Sequence, residues 1–264
     1  MTVKSKPLDS SRPRRTRMAW SRWLDIMAIG AWGTLLLKYW FTGKMNVLLH
    51  PDYMWLANSA GVCLIALSGF KALQLLVPRC SKGVRLPSMQ HFSVFPPGLG
   101  SAILLTVAIV GLQFTPRPFS SQVAVNRGVT ETLSMTRSQP QAFRASTRPE
   151  DKSVIDWVRT LNVYPEPDAY TGQPARVEGF VIQSPELPDG YFMISRFIIT
   201  CCAADAYPAG LPVKLAEEQP LPNSDTWLRV EGSMTTESYN DSRHLVIQAS
   251  SLTTIPEPKN PYDY

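Results

Sequence analysis

Three apolar runs in the first half constrain this chain more than any other feature. They cover residues 24–41, 54–77 and 98–114. A helix needs about 20 mostly apolar residues to cross a bilayer, with a range of about 17–25. All three runs meet that length, the third at its short end. Three such helices would overfill one small soluble core, so the expectation is a membrane region of three spans. Trp20, Trp23, Tyr39, Trp40, Tyr53 and Trp55 cluster at the ends of the first two runs, where an aromatic belt belongs. A cleavable signal peptide fits the first run less well. Its basic segment is long, and no small-residue cleavage site follows Phe41.

The charge distribution sets an orientation. Residues 1–119 hold 14 Lys+Arg against 3 Asp+Glu, whereas residues 120–264 hold 12 against 18. A nucleic-acid binder carries its positive charge on the folded domain. Here the later half is acidic, so nucleic acid is excluded as a partner. The N-terminal tail has Lys4, Lys6, Arg12, Arg14, Arg15, Arg17 and Arg22 against Asp9 alone. The loop after the second run has Arg79, Lys82 and Arg85 without an acid. The positive-inside rule puts both segments in the cytoplasm. Three crossings then place everything after Phe114 outside it, in an integral protein of the cell or inner membrane.

Charges inside the runs have two readings. Asp25 and Lys38 lie near the ends of the first run and can snorkel to the interface. Lys71 lies deeper in the second. It can snorkel too, or contact a partner protein, since intramembrane ionisable groups default to a functional hypothesis. Gly30 and Gly33, and Gly61 with Ser68, offer small surfaces for helix packing.

Residues 115–150 read as a linker rich in proline, serine and arginine, with too little apolar surface to offset the entropy of ordering. A short helix follows at 153–161, with Ser153 as its cap and Ile155, Val158 and Leu161 at helical spacing. Five strands are expected at 176–183, 191–202, 212–216, 226–234 and 244–255. Pro188-Asp189-Gly190, Pro208-Ala209-Gly210 and Pro222-Asn223-Ser224 read as the turns between them. Gly179 and Gly232 fall inside strands, where glycine marks a bulge or a barrel corner. The fold class is therefore an α-helical membrane region plus a C-terminal all-β domain. A five-stranded OB-like barrel fits the strand count, and a β-sandwich is the alternative.

The run FMISRFIITCCAADA, residues 192–206, holds the candidate chemistry. Cys201 and Cys202 adjoin at the end of an apolar strand, and Asp205 follows three residues later. One reading makes both cysteines small packed residues. A second makes Cys201, Cys202 and Asp205 an open site for zinc or another soft metal ion. The paired C-x₂-C signature of a closed structural zinc site is absent. A third reading is thiol redox chemistry, including a strained vicinal disulfide. Cys63 and Cys80 fall in the second run and the cytoplasmic loop, so only the doublet reaches the oxidising side.

His50, beside Pro51, falls in the loop expected on the same side as the doublet, and its imidazole can add a ligand. An interfacial residue ending a span is the plainer account. His91 falls on the cytoplasmic side, and His244 adjoins the fifth strand. Arg196 interrupts an apolar strand. It either pairs with a carboxylate such as Glu178 or Asp205, or binds an anionic ligand or partner. The chain has no G-x-S-x-G, no Walker A motif and no dinucleotide fingerprint, so it reads as non-enzymatic.

Four segments carry a family resemblance. They are FTGK with LLHP (41–44 and 48–51), PFSSQVAVNRGV (118–129), TGQPARVEGFVI leading to FMISRFIITCCAADAYPAGLPV (171–213), and DTWLRVEG with the closing PYDY (225–232 and 261–264). The chain resembles the YcgQ-type permease-subunit membrane proteins, whose C-terminal domain has no assigned function. The resemblance is most specific from Arg196 to Gly210, the RFxIxCCxADA motif. It implies a multi-span permease as partner, with membrane lipid around the helices. The expected layout is a basic cytoplasmic tail (1–22), a three-span region (23–116), a linker (117–150) and an extracytoplasmic β domain (151–264). The expected role is a permease-associated subunit binding a metal ion, a solute or the permease itself. A thiol redox protein or a purely structural docking protein is the alternative.

Overall fold

A computed structural model of the protein describes residues 13–77, 98–129, 148–216 and 219–264. The chain divides into two compact units. The first takes in the helices up to residue 116, apart from residues 46–50. The second combines residues 46–50 with 117–264.

In the first unit, α1 (Pro13–Phe41), α2 (Pro51–Leu76) and α3 (Leu99–Gln113) follow the apolar runs. Small residues let α1 and α2 meet closely, as their spacing suggested. A Cβ on Gly33 would stand 2.9 Å from the Ile65 side chain and 3.1 Å from the Gly61 carbonyl oxygen. The Ser68 hydroxyl donates to the Ile26 carbonyl at 3.0 Å. Between α1 and α3, the Trp32 indole donates to the Leu104 carbonyl at 3.0 Å, and the Tyr39 hydroxyl to that of Gly111 at 2.8 Å.

The three-span expectation is corrected here: of these helices, only α2 is long and apolar enough to cross a membrane. Just 6% of its most apolar window is buried, so it is not a core helix. The 29-residue α1 is long enough, but Arg22, Asp25 and Lys38 leave it uncharged only over residues 26–37. The 15-residue α3 falls short of the about 17 residues a span needs. Lys71 is exposed on α2. Residues 1–12 of the basic tail, and the basic loop with Cys80 and His91, lie outside the described residues.

The second unit holds α4 (Ser121–Arg127), α5 (Val154–Val163) and strands β1 (Pro174–Ile182), β2 (Tyr191–Ile198), β3 (Tyr207–Lys214), β4 (Trp227–Tyr239), β5 (Ser242–Thr254) and β6 (Tyr262–Asp263). They form one six-stranded sheet in the order β1-β4-β5-β3-β2-β6, and β1 pairs with β2 as well as β4. The β3–β5 and β2–β6 pairs are parallel; the others are antiparallel. Asn240 and Asp241, both at positive φ (48° and 58°), turn β4 into β5, as a tight hairpin requires.

Two glycines let the sheet bend. At Gly232, beside the register shift between β4 and β5, a Cβ would stand 2.1 Å from the Gln248 carbonyl oxygen. At Gly179 it would stand 2.5 Å from the Ser195 carbonyl oxygen, next to where β1 changes partner from β4 to β2. Only a residue without a side chain fits either place.

The expected third strand is also corrected. Pro208, Ala209 and Gly210 do not turn; they lie inside β3, opposite Phe197, Arg196 and Ser195 of β2. Proline is tolerated there because β5 pairs with β3 only at Val213 and Lys214, so no second ladder needs its missing N–H.

Buried side chains form two layers, and β2 feeds both because successive residues point to opposite faces. Phe192, Ile194 and Ile198 join the layer under α5, with Trp157, Val158, Leu211 and Ile247. Met193 and Phe197 join the other, with Phe180, Tyr262, Ala124 and Val47. A capping box starts α5: Ser153 Oγ accepts from the Asp156 N–H, and the Ser153 N–H donates to the Asp156 carboxylate, both at 3.1 Å. The start of the expected linker is folded. Phe119 packs 5.3 Å from the Phe197 ring, and Ala124 of α4 is fully buried. Residues 130–147 of that segment lie outside the described residues.

Candidate functional site

The strand expected to reach Cys202 stops at Ile198, and this changes the geometry of the doublet. The Ile199 N–H donates to the Asp263 carbonyl at 3.1 Å, and the chain then leaves the sheet. Cys201 and Cys202 therefore sit in a loop, free of strand alternation. Their sulfurs face each other, the Cys201 thiol donating to Cys202 Sγ at 3.6 Å. Both thiols are free, with Cys201 exposed and Cys202 half-buried.

Asp205 organises this loop. Its carboxylate accepts the Cys201 N–H at 2.9 Å, the Cys202 N–H at 3.2 Å and the Thr200 hydroxyl. Thr200, just before the doublet, was missed as a site residue. An oxygen-bearing side chain abutting two thiols was the available signal. The ligand atoms of Cys201, Cys202 and Asp205 lie within 4.8 Å of one another. Among the described residues this is the one such group able to hold a metal ion.

The electrostatics follow from these bonds. Burial pushes the Asp205 carboxyl up, but the Thr200 hydroxyl, the two backbone N–H groups and the Cys201 thiol outweigh it, so it lies below its usual range. The Cys201 thiol is pushed up to about 11, first by its bond to Cys202 and then by the Asp205 carboxylate. At neutral pH the Cys201 thiol therefore stays protonated and unreactive.

A second segment clamps the loop. The His50 N–H donates to the Cys201 carbonyl at 3.1 Å, and the Ala203 N–H to the Leu48 carbonyl at 2.9 Å. Leu49 and Cys202 form an antiparallel bridge. Sequence reasoning brought His50 to the doublet through its imidazole, but the contact is made by its backbone. The ring packs edge-on against Tyr264, centroids 4.7 Å apart, outside the three-ligand group.

Arg196 has partners other than those expected. Glu178 bonds Arg229, and Asp205 serves the cysteine loop. Arg196 instead faces Asp263 at 4.0 Å and the Asn260 carbonyl at 3.4 Å, and lies 5.6 Å from the Trp227 ring centroid. It ties β2 to the C-terminal segment. His244 stacks on Tyr239, ring centroids 4.0 Å apart.

Residues 140–264 match the family described as the DUF1980 C-terminal domain, a little under half of the chain. The match takes in the doublet, Asp205 and Arg196, and agrees with the YcgQ-type resemblance over that domain. No curated protein matches the chain.

Proposed function

We propose that this protein is a membrane-anchored, non-enzymatic subunit that captures a thiophilic metal ion at Cys201, Cys202 and Asp205 for a multi-span permease. One observation carries the reading: three donors of metal-ligating type converge within 4.8 Å on an exposed loop braced from two sides. Two sulfurs and a carboxylate suit zinc or a softer ion.

In this reading the second unit is an OB-like barrel. Strands β1 to β5 pair in a ring, because β1 meets both β4 and β2, and bends at Gly179 and Gly232 help close it. The apolar helices lie in lipid, and α2 crosses it. The positive-inside rule keeps the basic tail in the cytoplasm and the cysteine loop outside. The permease is inferred from the YcgQ-type resemblance alone.

The test is metal content. Full-length reduced protein in detergent, dialysed against buffered Zn²⁺, should retain one ion per chain. The Cys201→Ser/Cys202→Ser variant should retain none. Equal loading of both proteins would sink the reading.

A docking role is the second reading, favoured by the three bonds that already employ Asp205 as a loop cap. Under it, the double serine variant would still co-purify with the permease and neither protein would load metal.

A further inference from the structure

We infer that the Cys201–Cys202–Asp205 group is shaped for a tetrahedral divalent ion of the zinc class, held by three protein donors with its fourth position open. The inference deepens the capture reading and rests on it.

The first argument is the spacing of the sulfurs, 3.6 Å. Two thiolates about 2.3 Å from a tetrahedral ion lie about 3.8 Å apart. Two thiolates on opposite sides of a two-coordinate ion, at the same bond length, lie about 4.6 Å apart. The first arrangement asks for ~0.2 Å of movement and the second for ~1 Å.

The second argument is the pinned backbone. Both cysteine N–H groups donate to Asp205, the Cys201 carbonyl accepts from His50, and the Ala203 N–H donates to Leu48. The loop cannot spread without breaking these bonds, so the sulfurs separate only by side-chain rotation.

The third is the occupancy of the carboxylate. A carboxylate offers about four lone-pair sites. Thr200, the Cys201 N–H and the Cys202 N–H take three, which leaves about one for an ion. Each cysteine thiol gives up its proton to solvent as it becomes a metal-bound thiolate. The hard oxygen favours a borderline ion over a purely soft one.

Among the described residues no further His, Cys, Asp or Glu joins the group, and Cys201 is exposed. Three protein ligands with a water or incoming donor is the pattern of an exchangeable site, not of a closed structural one. Such a site can hand its ion to a partner.

The experiment uses full-length reduced protein in detergent, without oxygen, with Co²⁺ as a spectroscopic stand-in for zinc. The expected spectrum has the intense visible bands of tetrahedral cobalt and charge-transfer intensity from two thiolates, bleached by one equivalent of Zn²⁺. Added imidazole should shift the visible bands by entering the fourth position. Cys201→Ser should weaken Zn²⁺ binding by more than about 100-fold, beyond the about 10–100-fold lost with outer-shell partners. Asp205→Asn should keep thiolate intensity while changing the visible bands. Weak six-coordinate cobalt bands, with Cu⁺ bound linearly by both sulfurs, would overturn the zinc-class inference and leave metal capture standing. Binding of neither ion, or binding untouched by Cys201→Ser/Cys202→Ser, would overturn both.

Discussion

The backbone N–H of His50 donates to the carbonyl oxygen of Cys201 at 3.1 Å. Through this bond, the segment between α1 and α2 holds the loop that ends β2. The imidazole is not needed for it, so His50→Ala should leave metal loading within about threefold of the original, whereas direct ligation would cost more than about 100-fold. Zinc titration of the variant checks this.

Asp205→Asn should make Cys201 more reactive in the metal-free protein. With its thiol at about 11, Cys201 is about 0.1% thiolate at pH 8. Removing the carboxylate takes away the second cause of the elevation. Alkylation by iodoacetamide should then speed up severalfold at pH 8, and its pH profile should move to lower pH. An unchanged profile would show that Cys202 alone sets the value.

The pH dependence of the loop has a defined sign. The Asp205 carboxyl is depressed in the folded protein. Its contribution is therefore full above the unfolded value of about 3.9 and is lost as pH falls through the lower folded value. Hydrogen exchange of the Cys201 and Cys202 amides should stay slow down to about pH 4 and rise below it. Asp205→Asn should remove that step.

Gly232→Ala should destabilise the second unit by about 1–3 kcal/mol, because backbone at 2.1 Å has to move. Gly100→Ala in α3 meets nothing within 4 Å and should cost nothing. Chemical unfolding of the full chain, followed by tryptophan fluorescence, compares them.

Phe197→Ala should cost about 3–5 kcal/mol, since the ring is 1% exposed and stacks on Phe180 at 5.4 Å. Glu178→Gln, which breaks the half-exposed pair with Arg229, should cost about 0–1 kcal/mol. Denaturation midpoints separate the two; equal losses would mean that the outer layer is loosely packed.

Local signals in the sequence were the readable ones. Ser153 and Asp156 announce the start of α5 because a capping box is complete within four residues. The doublet and Asp205 were legible for the same reason, being close in sequence. Features closed over long distances were not. Nothing local says that Leu48–His50 pairs with Cys201–Ala203, or that Pro208 and Gly210 serve a strand open on one side. At 117–129 the apolar residues are few, yet Ala124 is buried and Phe119 packs half-buried against Phe197. The span count differed because Asp25 and Lys38 were read as snorkelling from the ends of α1, and because α3 closes at 15 residues.

Residues 46–50 belong with 117–264, so the second unit is discontinuous along the chain. No single cut releases it whole. A fragment starting after α3 loses Val47 from a buried layer and both backbone bonds that brace the cysteine loop. A short synthetic peptide carrying residues 46–50, added in trans, is the natural complement for restoring them.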